Sequence, residues 1–192
     1  YEVVLNRPGS HIAVNAAGAL ALIGEMGMDV GLAAEALEGF TGVSRRWELR
    51  GTVAGVTLID DYAHHPTEVA ASLNTAREAH PGRVWAVFQP HLYTRTERFS
   101  DEFGEALAKA DRAVVTDVYG SREAPIPVIN GERVVEVVRS NGGSAEYVAH
   151  RVDLAPFLAE RVESGDLVVT MGAGDVTLVP TELARLLAGR EL

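Results

Sequence analysis

Two adjacent carboxylates, an aromatic ring and two imidazoles fill five of the six positions Asp60-Asp61-Tyr62-Ala63-His64-His65. An apolar run ends there, and Pro66-Thr67-Glu68 follows. Carboxylates at a strand end can take Mg2+ through oxygen ligands, accept from a ribose hydroxyl, or cap their own loop. Imidazoles at neutral pH can donate to a phosphate or accept a proton. So many such groups in so short a stretch point to a reactive loop.

Other stretches carry related chemistry. Phe88-Gln89-Pro90-His91 runs on to Tyr93-Thr94-Arg95-Thr96. Arg95 supplies a rigid cationic fork that matches a carboxylate or a phosphate, with His91 and Tyr93 as further donors. The alternative there is a capping loop, with Thr94 or Thr96 as N-cap and Arg95 on a solvated face. In Met171-Gly172-Ala173-Gly174-Asp175-Val176-Thr177 two glycines let backbone N–H groups approach a ligand, or simply make a tight turn. Thr177 replaces the last glycine of a dinucleotide fingerprint, so that fingerprint is not supported. His11 and Asn15 stand four apart and share one helix face. An asparagine offers a donor and an acceptor together, which suits an adenine edge; a helix-start packing pair remains the alternative. Arg45-Arg46 can reach a phosphate held by a neighbouring domain, or form a solvated pair. Asp117-Val118-Tyr119-Gly120-Ser121-Arg122-Glu123 is polar enough to line the same cleft.

Strands and helices must alternate to hold these groups. Strand-like runs lie near 52–59, 84–88, 113–117, 145–148 and 167–171, and helical runs near 67–79, 97–110, 131–140, 152–163 and 180–188. That alternation predicts an α/β domain with a mostly parallel sheet and flanking helices. Right-handed crossovers bring every strand-to-helix loop to one edge, gathering residues 60–66, 89–96, 117–127, 149–151 and 172–179. Upstream, residues 1–5 read as a strand. A helix capped by Ser10 then carries a buried Ala/Leu run in which Gly18 implies close packing, and a second helix over 30–39 is capped by Asp29. A strand and two helices are too small for a core, so residues 1–44 are expected to be the tail of another domain, with 45–192 a domain of its own.

Composition bounds the partners. The 192 residues carry a net charge of −10, which argues against coating nucleic acid or lying on an anionic membrane. The absence of cysteine removes disulfides and thiolate metal sites. No apolar run is long enough to span a bilayer and no signal peptide opens the chain, so a cytoplasmic protein is expected. The missing initiator Met predicts a piece of something longer. Lys109 is the single lysine, so no phosphate loop of the G-x-x-x-x-G-K-[ST] type is present.

Taken together, the Asp60–Glu68 motif and the Phe88–His91 and Tyr93–Thr96 motif resemble the Mur ligase family. Asp117-Val118-Tyr119, Gly172-Ala173-Gly174-Asp175 and Arg45-Arg46-Trp47 agree in order and position. The resemblance implies a Rossmann-like C-terminal domain preceded by the end of a central ATPase domain. Its closest branch implies an ATP-dependent ligase that joins L-alanine to the lactyl carboxylate of UDP-N-acetylmuramate, through an acyl phosphate, in peptidoglycan synthesis. ATP and Mg2+ would be held mainly by the part outside this chain, the fragment alone would be inactive, and no metal ligand is assigned here. By the family's pattern His11, Asn15 and Arg46 bind nucleotide. Asp61, His64 and His65, again with Arg46, approach nucleotide and acyl phosphate, and His91 and Arg95 hold the alanine carboxylate with Tyr62 and Tyr119 nearby. The chain departs from the pattern at Ile12 and Leu92. A ligase for recycled murein tripeptide is the second reading, and a non-catalytic α/β ligand-binding module is the third.

Overall fold

The computed structural model describes residues 2–189. Strands β1 (Glu48–Val53), β2 (Val56–Asp61), β3 (Val84–Phe88), β4 (Arg112–Val115), β5 (Ala145–Tyr147) and β6 (Leu167–Met171) form one sheet in the order β1-β2-β6-β3-β4-β5. From β2 onward every pairing is parallel. The run expected as one strand over 52–59 instead divides into an antiparallel hairpin, with Val53 opposite Val56. Ala54 and Gly55 make its two-residue turn with φ of 50° and 74°, the positive pair that matches strand twist. Alanine is a poor signal for such a turn, which is why periodicity alone runs through it.

Helices α3 (Pro66–Ala79), α4 (Tyr93–Leu107) and α5 (Gly131–Ser140) cover one face of the sheet, with Ile59, Phe88, Phe103 and Val115 in that core. On the other face α6 (Leu154–Ala159) and α7 (Val179–Ala188) close over Leu58, Val87 and Val168. All five residues of β3 and of β6 are buried, as expected of parallel strands covered on both sides. Side chains alternate along a strand, so Ile59 and Leu58 enter opposite cores and Asp61 and Asp60 leave on opposite faces.

The first part of the chain differs more from expectation. Residues 2–5 form no strand, since none of the six strands pairs with them; Tyr1 lies outside the described residues. Helices α1 (Ser10–Glu25) and α2 (Val30–Glu38) pack on each other. Ser10 is the first helical residue of α1 and does not cap it, the N-cap being Gly9. No residue of α1 is buried, Val14 is 70% exposed, and nothing lies within 4 Å of a Cβ built at Gly18. The apolar run therefore lacks the partner it was expected to pack against. Asp29 does cap α2, accepting from the N–H groups of Gly31 and Leu32. Between the two parts the chain bends at Arg45 and Trp47, with φ of 58° and 50°. Trp47 anchors the junction in the α3-side core.

Candidate active site

The carboxyl ends of β2, β6, β3 and β4 open on one rim, and loop contacts stitch it together. Gly172 N–H donates to the Asp61 carbonyl at 3.2 Å, Gln89 N–H to Met171 at 3.0 Å, and Leu92 N–H to Tyr119 at 3.0 Å. His91 and Tyr119 form an isolated parallel bridge. Two groups of side chains use this rim, one on either side of the loop after β2.

The first group is a cluster of rings and a guanidinium. His64 lies 5.0 Å from Tyr62 and 5.9 Å from His91, both edge-on, and His91 stacks on Tyr119 at 5.9 Å. Arg95 Nη1 is 3.5 Å from the His64 carbonyl and 3.5 Å from His91 Nδ1. His64 and Arg95 thus share one end of the sheet. Burial, then the Arg95 guanidinium and His64, push His91 below its ordinary value, so it stands neutral at pH 7. Arg95 belongs to the first turn of α4 and not to a solvated loop, since the helix starts at Tyr93 behind Leu92 (φ 70°). Neither threonine caps it: Thr96 donates back to the Leu92 carbonyl at 2.8 Å. The end is capped from a distant loop, where the Glu123 carboxylate accepts from Thr94 N–H at 3.0 Å and from its hydroxyl. Those two bonds hold the Glu123 carboxyl below its usual value.

The second group lines a cavity of about 720 Å³ between α1, α2 and α3, within the range of small-ligand sites. His11, Asn15, Arg46, Asp61, Glu68 and Ser72 face it together. Asp61 is buried, accepting from the Ser72 hydroxyl at 3.0 Å and from Ala63 N–H at 3.1 Å. Burial raises its carboxyl above the ordinary value against the pull of Ser72, Ala63 and Arg46. Arg46 is half exposed and reaches toward Glu68 at 3.7 Å and over the Tyr62 ring at 5.5 Å.

Two of the motif's titratable groups are used internally. Asp60 accepts from Thr170 at 2.8 Å, Thr177 at 2.6 Å and Arg45 at 3.4 Å, so it is occupied on both oxygens. His65 caps α3, accepting from Thr67 N–H at 3.4 Å, and its ring packs 5.1 Å from Phe99, away from the His64 cluster. Among the described residues no group of three or more His, Asp or Glu side chains is arranged to hold a metal ion. With Asp60 occupied, the chain's own residues do not fit Mg2+ on their own. The glycine loop is a tight turn. Its Val176 N–H donates to Gln89 Oε1 at 3.1 Å, and a Cβ at Gly174 would strike Gln89 and Tyr119. Asp117 is taken by the Tyr147 hydroxyl.

Glu68 carries no assigned role in its motif, and Arg45, expected to reach a phosphate or to form a solvated pair, instead bonds within the chain. Arg45 donates to the Gly172 carbonyl at 2.7 Å and covers Tyr62 at 4.8 Å, tying the junction to the rim. Its partner is over a hundred residues away, and no local pattern announces it. Glu68 completes a capping box with His65. The spacing of a capping residue and an acid three positions on is visible in sequence, but its contact with His64 is not.

An α/β domain with its strand tips converging on an imidazole and guanidinium cluster, beside a ligand-sized cavity, belongs to the proteins built to bind ligands at the carboxyl edge of a parallel sheet. A family model described as "Mur ligase, glutamate ligase domain" matches residues 45–174, and the chain belongs to the Mur ligase family. A UDP-N-acetylmuramate–L-alanine ligase of Mycobacterium sp. (strain JLS) is 50% identical over 190 residues, 97% of this chain and 39% of that relative. The crystal structure of a UDP-N-acetylmuramate–alanine ligase from Thermotoga maritima superposes with a TM-score of 0.80 at 31% identity, covering 96% of this chain and 39% of that one. A murein peptide ligase from Psychrobacter arcticus gives 0.74 at 25% identity, covering 97% and 38%. The chain thus spans 39% of the length of the curated relative it matches at 50% identity.

Proposed function

We propose that this chain is the C-terminal portion of an ATP-dependent ligase that joins L-alanine to the lactyl carboxylate of UDP-N-acetylmuramate in cytoplasmic peptidoglycan precursor synthesis. Residues 1–44 are the tail of the central ATP-binding domain and 45–192 the amino-acid-binding domain. The convergence of His64, His91, Arg95 and Tyr119 at one strand-tip rim, next to the cavity of Arg46 and Asp61, carries the reading. The half-identical relative bears the alanine ligase name, which favours that reading over the murein tripeptide ligase and over a non-catalytic module.

In this scheme the cavity receives the nucleotide. His11 and Asn15 meet adenine, and Arg46 meets phosphate as a charge-assisted donor. The nucleotide supplies the phosphoryl group that activates the lactyl carboxylate. Asp61, with Arg46, borders the reacting phosphates. Alanine enters the rim, where Arg95 and neutral His91 hold its carboxylate and Tyr62 and Tyr119 wall the small side chain. His64 is then beside the amine, and His65 supports the loop as a helix cap. Most of the rate comes from positioning two substrates and neutralising charge. Mg2+ belongs with the portion outside this chain, and the isolated chain is inactive.

The test is turnover of UDP-N-acetylmuramate, L-alanine and ATP by the full-length ligase, with glycine and L-serine as competitors. Alanine-dependent phosphate release with weak competition is the expected result. A preference for a tripeptide over alanine would replace this reading by the murein tripeptide one.

A further inference from the structure

Glu68 stands between the two groups of side chains. Its Oε1 faces Arg46 Nη1 at 3.7 Å on the cavity side. Its Oε2 accepts from the N–H groups of His64 at 3.0 Å and His65 at 3.2 Å, and lies 3.3 Å from His64 Nδ1. Burial works to raise the Glu68 carboxyl, but the His64 N–H, His64 itself, the His65 N–H and Arg46 together hold it below the ordinary value. It is a carboxylate at neutral pH.

His64 Nδ1 is also 2.8 Å from the Tyr62 carbonyl. A carbonyl only accepts, so the proton of the neutral ring sits on Nδ1 and the lone pair on Nε2. The ring is edge-on to Tyr62 on its own loop and to His91 on the loop after β3. Arg95 reaches the His64 backbone carbonyl from α4, and Glu68 faces the ring's Nδ1 from α3 with Arg46 behind it. Arg95 Nη1 lies 3.5 Å from the His64 carbonyl, so an α-amino acid whose carboxylate rests on Arg95 carries its amine, one carbon on, near the loop of His64.

Resting on the function proposed above, we propose that Glu68 is a positioning residue for aminolysis. The Tyr62 carbonyl holds the Nδ1–H of His64, and Glu68 sets its negative charge 3.3 Å from the same nitrogen, favouring the imidazolium that forms when Nε2 takes a proton from the ammonium of the incoming amino acid. Forming the amide removes two protons from that ammonium. One passes to Nε2, leaving an imidazolium whose Nδ1–H faces the carboxylate. The freed lone pair closes the C–N bond to the acyl carbon. The C–O bond to phosphate breaks with its electron pair on the departing phosphate, which carries off the second proton. His64 returns its proton to water before the next turnover.

The experiment compares two nucleophiles in the full-length ligase: L-alanine, which must be deprotonated, and hydroxylamine, which is uncharged at neutral pH and needs no base. Glu68→Gln keeps the helix cap, because glutamine also accepts from those backbone N–H groups. Expected is a fall of about tenfold or more in the ratio of the alanine rate to the hydroxamate rate. The KM for alanine stays within roughly twofold. Glu68→Asp, which keeps the charge, recovers part of the alanine rate. Equal losses with both nucleophiles, or an unchanged alanine rate, would overturn the assignment. Should Glu68→Gln fail to fold, a Glu68→Asp enzyme with an unchanged alanine-to-hydroxylamine ratio overturns it equally. The wild-type rate with alanine tests the substrate separately, and the ratio is read with whichever amino acid the wild type ligates.

Discussion

Arg95 and Asp61 show how differently two charged side chains of one site are held. Arg95 is half-buried in the first turn of α4, with His91 and the His64 carbonyl as its neighbours at 3.5 Å. In the full-length ligase, Arg95→Ala removes a charge-assisted bond of about 1.5–3 kcal/mol, so the KM for alanine rises roughly ten- to a hundredfold. The KM for ATP changes little, because the cavity proposed for the nucleotide lies on the other side of the loop after β2; equal effects in steady-state kinetics would remove Arg95 from the proposed alanine site. Asp61 is held against its own preference, since burial raises its carboxyl above 3.8. A raised folded-state value means that its ionised form costs stability at neutral pH. That cost fades as pH falls through the folded value toward the unfolded one. Asp61→Asn therefore melts higher than the wild type at pH 7, with the gap closing in acid, while full-length activity falls. A wild type that melts higher at pH 7 would contradict the burial account. Every residue at this scale could be named from the motifs. The roles of Glu68, Arg45 and Asp60 could not, since they depend on which neighbour comes within hydrogen-bond reach.

At the scale of elements, periodicity predicted what packing alone needs. β3 and β6 lie over their expected ranges, and α3 begins at Pro66, whose missing N–H costs nothing there. The misses fall where conformation is imposed from outside. The β1–β2 turn uses Ala54 with positive φ, and α4 begins four residues before its expected start because Glu123 caps it from afar. Close approach between α4 and α5 is another such feature. A Cβ at Gly104 would collide with Val137 of α5. Gly104→Ala is therefore expected to destabilise by about 1–3 kcal/mol through overpacking. Urea titration should show a lower midpoint with an unchanged slope; an unchanged midpoint would mean that the two helices part easily.

For the whole molecule, the two parts contribute unequally. The sheet domain holds both hydrophobic cores, while α1 buries no residue and α2 buries only Ala34. A chain beginning at Val43 should thus melt cooperatively within roughly 4 °C of the full 192 residues, whereas a larger drop would give α1 and α2 a share in stability. The intact chain should bind ATP weakly by calorimetry, because it lacks a phosphate-loop lysine; micromolar binding would place the phosphate grip here. The amino-acid sequence by itself determined the alternation of strands and helices, the family, and the identity of the groups at the strand tips, since these follow from local periodicity and from motifs contiguous in the chain. Only the tertiary structure decided which groups stay free. Strand alternation sent Asp60 into one core side and Asp61 to the cavity, and helix capping drew His65 away while leaving His64 on the rim. The order of the strands brought His91 and Arg95, from the stretch after β3, beside His64 from the loop after β2. The His65 cap is local, but the fate of Asp60 and the meeting of His64 with Arg95 depend on contacts between residues far apart in the chain, which no local spacing encodes.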